Sequence, residues 1–351
     1  MFWIHILILI GGLIALLKGS DVFVESASRM AKRFGVTELV IGLTLVALGT
    51  SIPELASSVA AALKGSGNMV IGNVIGSNIA NIGLILGVAA LLYGLKTNEK
   101  IVRRDSYIMI FGLVLFYLLA LRGSIGIIEG IVFLLLYFAY IGFLIKTRDA
   151  LEGYHLNHFF TYFLRFGYLR DIRQRRFKKV FEDGKITKSE KKIVVEYGWL
   201  FVRDVFLFTI GTILIFVGAK YLITEAIWLS NFFKVSEGVI GLTLVALGTS
   251  LPELGVTLSA AKKGYGEMIL GTIIGSNIAN TFLVVGVSSI ITPLVMVRET
   301  LMFMVPSMLL ISLVAIFSMN HKLKVGKLKG ALLLSLYLLF MGFVIYRSVM
   351  Y

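Results

Sequence analysis

Residues 41–55 read IGLTLVALGTSIPEL, and residues 240–254 read IGLTLVALGTSLPEL. The two stretches lie 199 residues apart and differ at one position. Each copy is strongly apolar but carries one acidic residue, Glu54 in the first and Glu253 in the second. A carboxylate at bilayer depth is costly and is by default a candidate functional residue. Two carboxylates at matched positions of a repeat therefore predict an ion site formed between two halves of the chain.

The repeat extends beyond this motif. At the same offset, residues 71–88 read IGNVIGSNIANIGLILGV and residues 270–287 read LGTIIGSNIANTFLVVGV. The duplicated segment thus covers 41–88 and 240–287, and 31 of its 48 aligned positions are identical without a gap. This length and regularity indicate a duplicated structural unit, of the kind from which many transporters are built.

The composition is that of a polytopic membrane protein. Hydrophobic residues make up 58% of the chain, only 15% of residues are charged, and the mean hydropathy is +0.90. The apolar stretches are continuous and do not alternate with polar residues, which favours helices over an outer-membrane barrel. The first stretch lacks a basic start and a small-residue cleavage pattern, so we expect a retained helix and not a signal peptide. We predict ten spans, at roughly 2–18, 37–63, 68–95, 105–122, 125–146, 203–228, 236–262, 267–294, 300–318 and 327–347.

Lys and Arg are concentrated in alternate connections between the spans. Fourteen of them lie from Lys146 to Arg203, whereas the short connections on the other side hold about one each. The positive-inside rule then places both termini outside and the central loop in the cytoplasm, in the cell (inner or plasma) membrane. Because the net charge of +14 is explained by this distribution, we expect no nucleic-acid partner.

Five crossings separate the two acidic motifs, and five is odd. The copies therefore run through the membrane in opposite senses, which defines two inverted five-helix repeats in an all-α protein. We divide the chain into a first half at 1–147, a basic cytoplasmic loop at 148–202 and a second half at 203–351. The closest similarity between the halves lies at about 37–95 and 236–294.

The central loop offers two weaker motifs. The stretch DGKITKSE at 183–190 resembles the second half of a calcium-binding loop, but the first two ligand positions would be Lys179 and Phe181, which offer no oxygen side chain. We favour a glycine turn followed by a capping box. His155 and His158 could bind a metal on one helix face, but a solvated position is the simpler interpretation because no further ligand pattern surrounds them. The chain contains no cysteine, so thiolate metal sites and disulfides are excluded.

Oxygen-bearing residues surround each acidic residue at helical spacing. In the first copy Ala47, Thr50, Ser51 and Glu54 fall on one helix face. Pro53 cannot donate a backbone hydrogen bond, so we expect carbonyl groups one turn earlier to be freed as cation ligands. The second copy repeats this arrangement, with Ala246, Thr249, Ser250, Pro252 and Glu253.

The next span adds a polar stripe. Asn73, Ser77 and Asn81 are spaced by four residues, and Thr272, Ser276 and Asn280 are their counterparts. Glycines in the same spans, Gly72 and Gly76 with Gly271 and Gly275, give small-residue surfaces that allow close helix approach, and we assign them only this packing role. Asn78 and Asn277 either bridge helices or face the site.

All these candidate ligands are oxygen atoms, which suit Ca²⁺, Na⁺ and similar hard cations. Two carboxylates balance one Ca²⁺ and leave the empty site with a charge near −2, which should prevent it from crossing the membrane unoccupied. The contrary interpretation, that Glu54 and Glu253 are neutralised structural residues, leaves the duplication, the prolines and the neighbouring hydroxyl groups unexplained.

GTSIPE and GTSLPE, each followed by IGSNIAN, resemble the alpha repeats of the sodium/calcium exchanger family, in the manner of its prokaryotic members. The resemblance covers roughly 19–95 and 218–294. It implies that Glu54 and Glu253 are carboxylates shared by Ca²⁺ and Na⁺, and it implies supporting roles for the other site residues. Thr50 and Thr249, with the carbonyl groups of Ala47 and Ala246, would complete the cation site, Ser51, Ser250, Ser77 and Ser276 would line flanking Na⁺ sites, and Asn81 and Asn280 would lie at the centre.

The sequence departs from many relatives at one position. The potassium-dependent branch has Asp where this chain has Asn280, so the site holds two carboxylates and not three. This difference argues against K⁺ co-transport. The Ca²⁺/H⁺ branch has a Glu in this helix, and none is present here. The central loop is also too short for the regulatory domains of animal members.

These observations predict an electrogenic antiporter, not an enzyme, that expels Ca²⁺ against Na⁺ entry by alternating access. We expect no cofactor and no obligate protein partner beyond the bilayer and the transported ions. The first alternative is exchange of Ca²⁺ or another divalent cation for H⁺ through the same site. An intramembrane hydrolase using Ser51 or Ser250 lacks a neighbouring base. A passive cation channel would instead show conductance without a counter-ion gradient.

Overall fold

The computed structural model describes residues 2–33, 49, 51–96, 101–146, 159, 193–262, 264–320 and 323–350. Almost all of them are helical. The helices of the first half are α1 (Phe2–Arg33), α2 (Ile52–Leu63), α3 (Gly67–Ile79), α4 (Gly87–Tyr93), α5 (Ser106–Ala120) and α6 (Ile127–Lys146), with π-helical stretches at Ala80–Leu86 and Ile101–Asp105.

The second half follows a similar order. Its helices are α7 (Ile193–Phe233), α8 (Glu237–Ile240), α9 (Ala246–Thr249), α10 (Leu251–Lys262), α11 (Gly266–Ala279), α12 (Val285–Ile291), α13 (Val305–Asn320) and α14 (Lys327–Met350), with π-helical stretches at Gly241–Val245, Asn280–Val284 and Thr300–Met304. The π-helical stretch after α3 and the one after α11 begin at matched positions, Ala80 and Asn280, within one residue of the 199-residue offset.

Within the described residues, seven helices are long and apolar enough to cross a membrane, and a bent pair raises the number to eight. Two of the ten predicted spans do not reach this threshold. The longest described helix in the second span is Ile52–Leu63, and α5 has 15 residues. The membrane class is therefore confirmed, whereas the count of ten spans stays a prediction.

The helices α1 and α7 are longer than predicted and pack against each other along most of their length. Glycines lie where they approach most closely: an added Cβ at Gly19 would lie 2.8 Å from the backbone nitrogen of Ile215, and one at Gly211 would lie 2.7 Å from that of Phe23. An ion pair lies near one end of this helix pair, and a histidine–carboxylate hydrogen bond lies near the other. Arg29 Nε lies 2.9 Å from Asp204 Oδ1, and His5 Nδ1 lies 2.6 Å from Glu225 Oε2.

Two short antiparallel ribbons join connections of the first half to connections of the second, a feature that the all-α prediction did not include. Leu95–Lys96 pairs with Lys324–Val325, and Ser124–Ile125 pairs with Leu294–Val295. Because each ribbon satisfies backbone groups where helices end, the ribbons fix the helix ends of the two halves relative to each other.

Close helix packing places α3 at the centre of the molecule. An added Cβ on Gly72 would overlap the carbonyl oxygen of Gly238, and one on Gly76 would overlap that of Leu242. The predicted packing role of these two glycines is thus confirmed. At Gly271 and Gly275 no described atom lies within 4 Å of an added Cβ, so the described residues show the close approach only in the first copy.

Candidate ion-binding site

Glu54 lies in the first turn of α2, and the local sequence explains why the helix begins there. Pro53 occupies one of the first two helical positions, where a missing N–H costs nothing. The backbone nitrogen of Leu55 donates to the carbonyl oxygen of Ser51 at 3.0 Å, which makes Ser51 the residue that precedes the helix. The Glu54 side chain is consequently held at a helix N-terminus, where the helix dipole favours negative charge, and it is buried.

The second copy repeats this local structure as a bend between two helices. The segments Glu237–Thr249 and Leu251–Lys262 meet at an angle of 40°. Ser250 lies in the break, Pro252 follows it, and Glu253 is in the first turn of α10 and fully buried. The interruption of one membrane span by a proline is the arrangement by which transporters expose helix termini at bilayer depth.

The expectation that the proline frees the carbonyl groups one turn earlier is wrong for Ala246. The carbonyl oxygen of Ala246 is not freed by the following proline, because it accepts the backbone N–H of Ser250 at 3.1 Å. A proline removes the bond to the residue four positions earlier, and for Pro252 that residue is Gly248. The Ala246 oxygen also lies 3.3 Å from the Thr249 hydroxyl group. It therefore has only limited remaining capacity to accept a cation.

The two halves meet directly at the acidic residues. The hydroxyl group of Ser250 donates a hydrogen bond of 2.9 Å to Oε1 of Glu54. Both side chains are buried. Glu54 and Ser250 are separated by 196 residues in the chain, so this contact joins the first copy of the motif to the second, as the repeat predicts.

Asn73 ties α3 to the helix that carries Glu54. Its Nδ2 donates to Ser58 Oγ at 2.9 Å, to Ser57 Oγ at 3.2 Å and to the carbonyl oxygen of Glu54 at 3.4 Å. The Ser57 hydroxyl also donates to the Glu54 carbonyl oxygen at 3.1 Å. Ser57 and Ser58 were not predicted as functional residues, although their position one turn after Glu54 is the signal that could have identified them. Asn73 thereby fixes the first turn of α2 through its amide nitrogen, whereas its buried Oδ1 has no hydrogen-bond partner among the described residues.

The asparagines that follow form a second link between the halves. Asn81 Nδ2 donates to Asn277 Oδ1 at 3.0 Å, and Asn277 Nδ2 lies 3.4 Å from the carbonyl oxygen of Asn78. Asn78 Nδ2 in turn lies 3.3 Å from Thr281 Oγ1. Asn78 and Asn277 therefore bridge helices, which is one of the two roles that the sequence left open.

Several buried oxygen atoms of the predicted ligands have no hydrogen-bond partner among the described residues. They are Ser51 Oγ, Glu54 Oε2, Ser77 Oγ, Asn81 Oδ1 and Asn280 Oδ1. Buried polar atoms are nearly always satisfied in folded proteins, so a group of unsatisfied acceptors needs an explanation. A bound cation is one, because it satisfies several oxygen atoms at once.

The remaining predicted ligands are placed as follows. Thr249 is buried and donates its hydroxyl to the carbonyl oxygen of Val245 at 3.1 Å, which leaves its oxygen lone pairs available. Ser276 is buried. Ala47 and Thr50 lie outside the described residues, as do His155, His158 and the 183–190 turn of the central loop. Where the chain is described, no three His, Asp or Glu side chains cluster as a metal site, so any cation site here depends on neutral oxygen atoms as well as carboxylates.

Comparison with known proteins adds an independent observation. A family model described as sodium/calcium exchanger protein matches residues 4–146 and 204–346. The sodium/calcium exchanger MaX1 of Methanosarcina acetivorans is 44% identical over 351 residues, covering 99% of this chain and all of the relative. The inner membrane protein YrbG of Escherichia coli is 31% identical, over 82% of this chain and 79% of its own length.

Solved structures with a similar fold include the sodium-calcium exchanger NCX_Mj. A structure of it soaked with 10 mM Na⁺ and 10 mM Sr²⁺ has a TM-score of 0.62 and 30% identity, and the match covers 97% of this chain and 99% of the other. A structure of the same exchanger soaked with 2.5 mM Na⁺ and 0.1 mM Ca²⁺ has a TM-score of 0.57 and 30% identity over the same share of this chain.

Proposed function

The chain belongs to the sodium/calcium exchanger family, and from that premise we propose that it is a secondary active antiporter that exchanges Na⁺ for Ca²⁺ across the membrane by alternating access. The observation that carries this function is the contact between halves at the acidic motifs, where buried Ser250 bonds to buried Glu54. The full-length similarity to MaX1 and to NCX_Mj supports the identity of the exchanged ions.

We further propose the ten-span architecture of two inverted five-helix repeats. The family model supports a division into two halves, because it matches 4–146 and 204–346 and leaves out the loop between them. The odd number of predicted crossings between the motifs supports the inverted orientation. The charge distribution supports a cell-membrane location with both termini outside and the loop at 148–202 in the cytoplasm.

The proposed cation site has two carboxylates and a shell of neutral oxygen atoms. Glu54 and Glu253 supply the charge. The neutral ligands are Thr50, Thr249, Ser51, Ser250, Ser77, Ser276, Asn81 and Asn280, together with the carbonyl groups of Ala47 and, more weakly, Ala246. Ser250 links the two halves of this site through its hydrogen bond to Glu54.

Electrogenic, K⁺-independent exchange is the specific form of this proposal. A site with two carboxylates neutralises a single Ca²⁺, so exchange for three or more Na⁺ ions moves net charge. Asn280 supplies a neutral amide where a third carboxylate would be needed to bind an additional K⁺. Sodium/potassium/calcium exchanger 1 of Homo sapiens matches only 36% of this chain, at 32% identity.

The test is uptake of radioactive calcium by proteoliposomes loaded with Na⁺. Uptake should require the outward Na⁺ gradient, continue without K⁺ and respond to an imposed membrane potential. If uptake persists without Na⁺ and stops when a pH gradient is collapsed, the protein is a Ca²⁺/H⁺ antiporter. Ion flux without any counter-ion gradient would show a channel. Loss of uptake on removal of K⁺ would refute the K⁺-independent form alone.

A further inference from the structure

A deep apolar groove lies between α2 and the paired helices α1 and α7. Its volume is about 570 Å³, within the ~300–1,000 Å³ that ligand pockets usually have. The walls are almost entirely aliphatic and aromatic, with Leu55, Val59 and Ile215 among the lining residues. The single hydroxyl in the lining, that of Thr212, already donates to the carbonyl oxygen of Phe208 at 2.8 Å. Such a groove offers a polar solute no partner along its walls.

Two basic side chains, Lys64 and Lys220, also line the groove. Both are exposed, and neither forms an ion pair or a hydrogen bond within the part of the chain that the structure describes. Two ammonium groups without a counter-charge at one apolar surface favour an anionic ligand. The four-carbon stems of lysine can lie along the apolar walls while the ammonium groups reach the polar region of a bilayer.

The two lysines lie at the same end of the groove. Gly49, just before α2, contacts Val24, and Gly211 of α7 contacts Phe23, so the beginning of α2 lies beside residues 211–212 of α7. From the beginning of α2, the residues that line the groove continue along α2 to Lys64 and along α7 to Lys220. A distance of twelve residues along α2 is about 18 Å. The groove therefore consists of a long apolar part, which we call the shaft, and a dibasic end formed by Lys64 and Lys220.

We propose that this groove binds an anionic phospholipid, with one acyl chain along the shaft and the phosphate group between Lys64 and Lys220. The groove opens at the outer surface of the helices, where the lining residues Leu63 and Phe216 are exposed, and in a bilayer acyl chains would surround such an apolar surface. The dibasic end then selects among lipids by headgroup charge. The lipid contacts the helix that begins with Glu54 and both helices of the α1–α7 pair, so its binding stabilises their association.

The first experiment measures binding by native mass spectrometry of the delipidated full-length chain. Phosphatidylglycerol should bind more tightly than phosphatidylcholine. The Lys64→Gln, Lys220→Gln double variant should lose roughly fivefold in phosphatidylglycerol affinity for each lysine removed and should leave phosphatidylcholine binding unchanged. A Lys18→Gln, Lys262→Gln double variant removes the same charge outside the groove and should bind phosphatidylglycerol as the parent does. Equal affinity for the two lipids, or equal losses in the two double variants, would overturn the headgroup assignment.

A second experiment tests the acyl-chain shaft. Ala60, which lines the groove, is replaced by Phe to fill it, and phosphatidylglycerol should then bind less tightly and raise the melting temperature less than in the parent. Unchanged binding would overturn the placement of the chain in the groove. Inorganic phosphate at millimolar concentration should not displace the lipid, and full displacement would show a phosphate site that needs no acyl chain. Both experiments measure lipid binding or stability and not ion transport. A negative result would therefore contradict the lipid proposal without affecting the transport proposal.

Discussion

Ser250 donates a 2.9 Å hydrogen bond to Oε1 of Glu54, across the boundary between the two halves of the chain. The hydroxyl group of the matched residue Ser51 has no hydrogen-bond partner among the described residues. The two copies of the motif are nearly identical in sequence, but their serine hydroxyl groups do not make equivalent contacts. The first copy's carboxylate is therefore bonded by the second copy's serine, and the described residues show no reciprocal bond from Ser51.

Removal of either carboxylate charge should abolish transport. Glu54→Gln and Glu253→Gln keep side-chain size but halve the charge available to a divalent cation in a buried site. We expect Na⁺-dependent uptake of radioactive calcium in proteoliposomes to fall at least a hundredfold in each variant. Glu299→Gln is the matched control, because Glu299 is exposed and only 3.8 Å from Arg347. Full activity in both site variants would refute the site assignment.

Ser250 and Ser51 should contribute unequally to the free energy of unfolding. Ser250→Ala removes a buried hydrogen bond to a charged group, and such bonds contribute about 1.5–3 kcal/mol. In Na⁺-free, chelated buffer we expect the free energy of unfolding to fall by that amount. Ser51→Ala removes a hydroxyl group without a described partner and should be neutral or stabilising. Thermal unfolding of both purified variants measures the difference, and equal losses would show that Ser51 has a partner of equal strength.

A second pair of repeat positions should also differ. Asn73 Nδ2 lies within hydrogen-bond distance of Ser58, Ser57 and the Glu54 backbone, whereas its counterpart Thr272 bonds, among the described residues, only to the carbonyl oxygen of Met268 in its own helix. Asn73→Ala should lower the free energy of unfolding by about 2 kcal/mol and impair calcium uptake, because the first turn of α2 loses its anchor. Thr272→Val should change stability by less than about 0.5 kcal/mol. Similar losses in the two variants would contradict the anchoring role of Asn73.

The close packing of α3 predicts intolerance of one added methyl group. In Gly76→Ala the new Cβ would overlap the Leu242 carbonyl oxygen and lie 2.7 Å from Ala246 Cβ. Overpacking of this kind costs about 1–3 kcal/mol, and we expect a lower melting temperature together with reduced uptake. Gly255→Ala is the control, since no described atom lies within 4 Å of its added Cβ and alanine is the better helix former. If the Gly76→Ala variant kept the melting temperature and the uptake of the parent, the helices could separate without cost.

The sequence predicted the membrane class, the duplication, and the burial and mutual contact of the acidic motifs. The sequence did not predict which of several possible hydrogen-bond partners a backbone group takes. Pro252 was expected to free the Ala246 carbonyl group, but the backbone N–H of Ser250 retains that bond. The length of α1 was underestimated, because Arg29 was interpreted as lying beyond the first span, whereas it pairs with Asp204 of α7 between the two helices.

The sequence by itself determined which chemical groups are available. Apolar spans, matched carboxylates and neighbouring oxygen donors are properties of composition and local spacing, and a helix presents such residues on one face whatever surrounds it. Only the tertiary structure decided which group bonds to which. Ser250 with Glu54, and Asn81 with Asn277, are each separated by 196 residues, and an ångström-scale contact between such distant residues depends on how closely the helices pack. The glycines and ribbons that set this packing are spread over both halves, so no local pattern contains it.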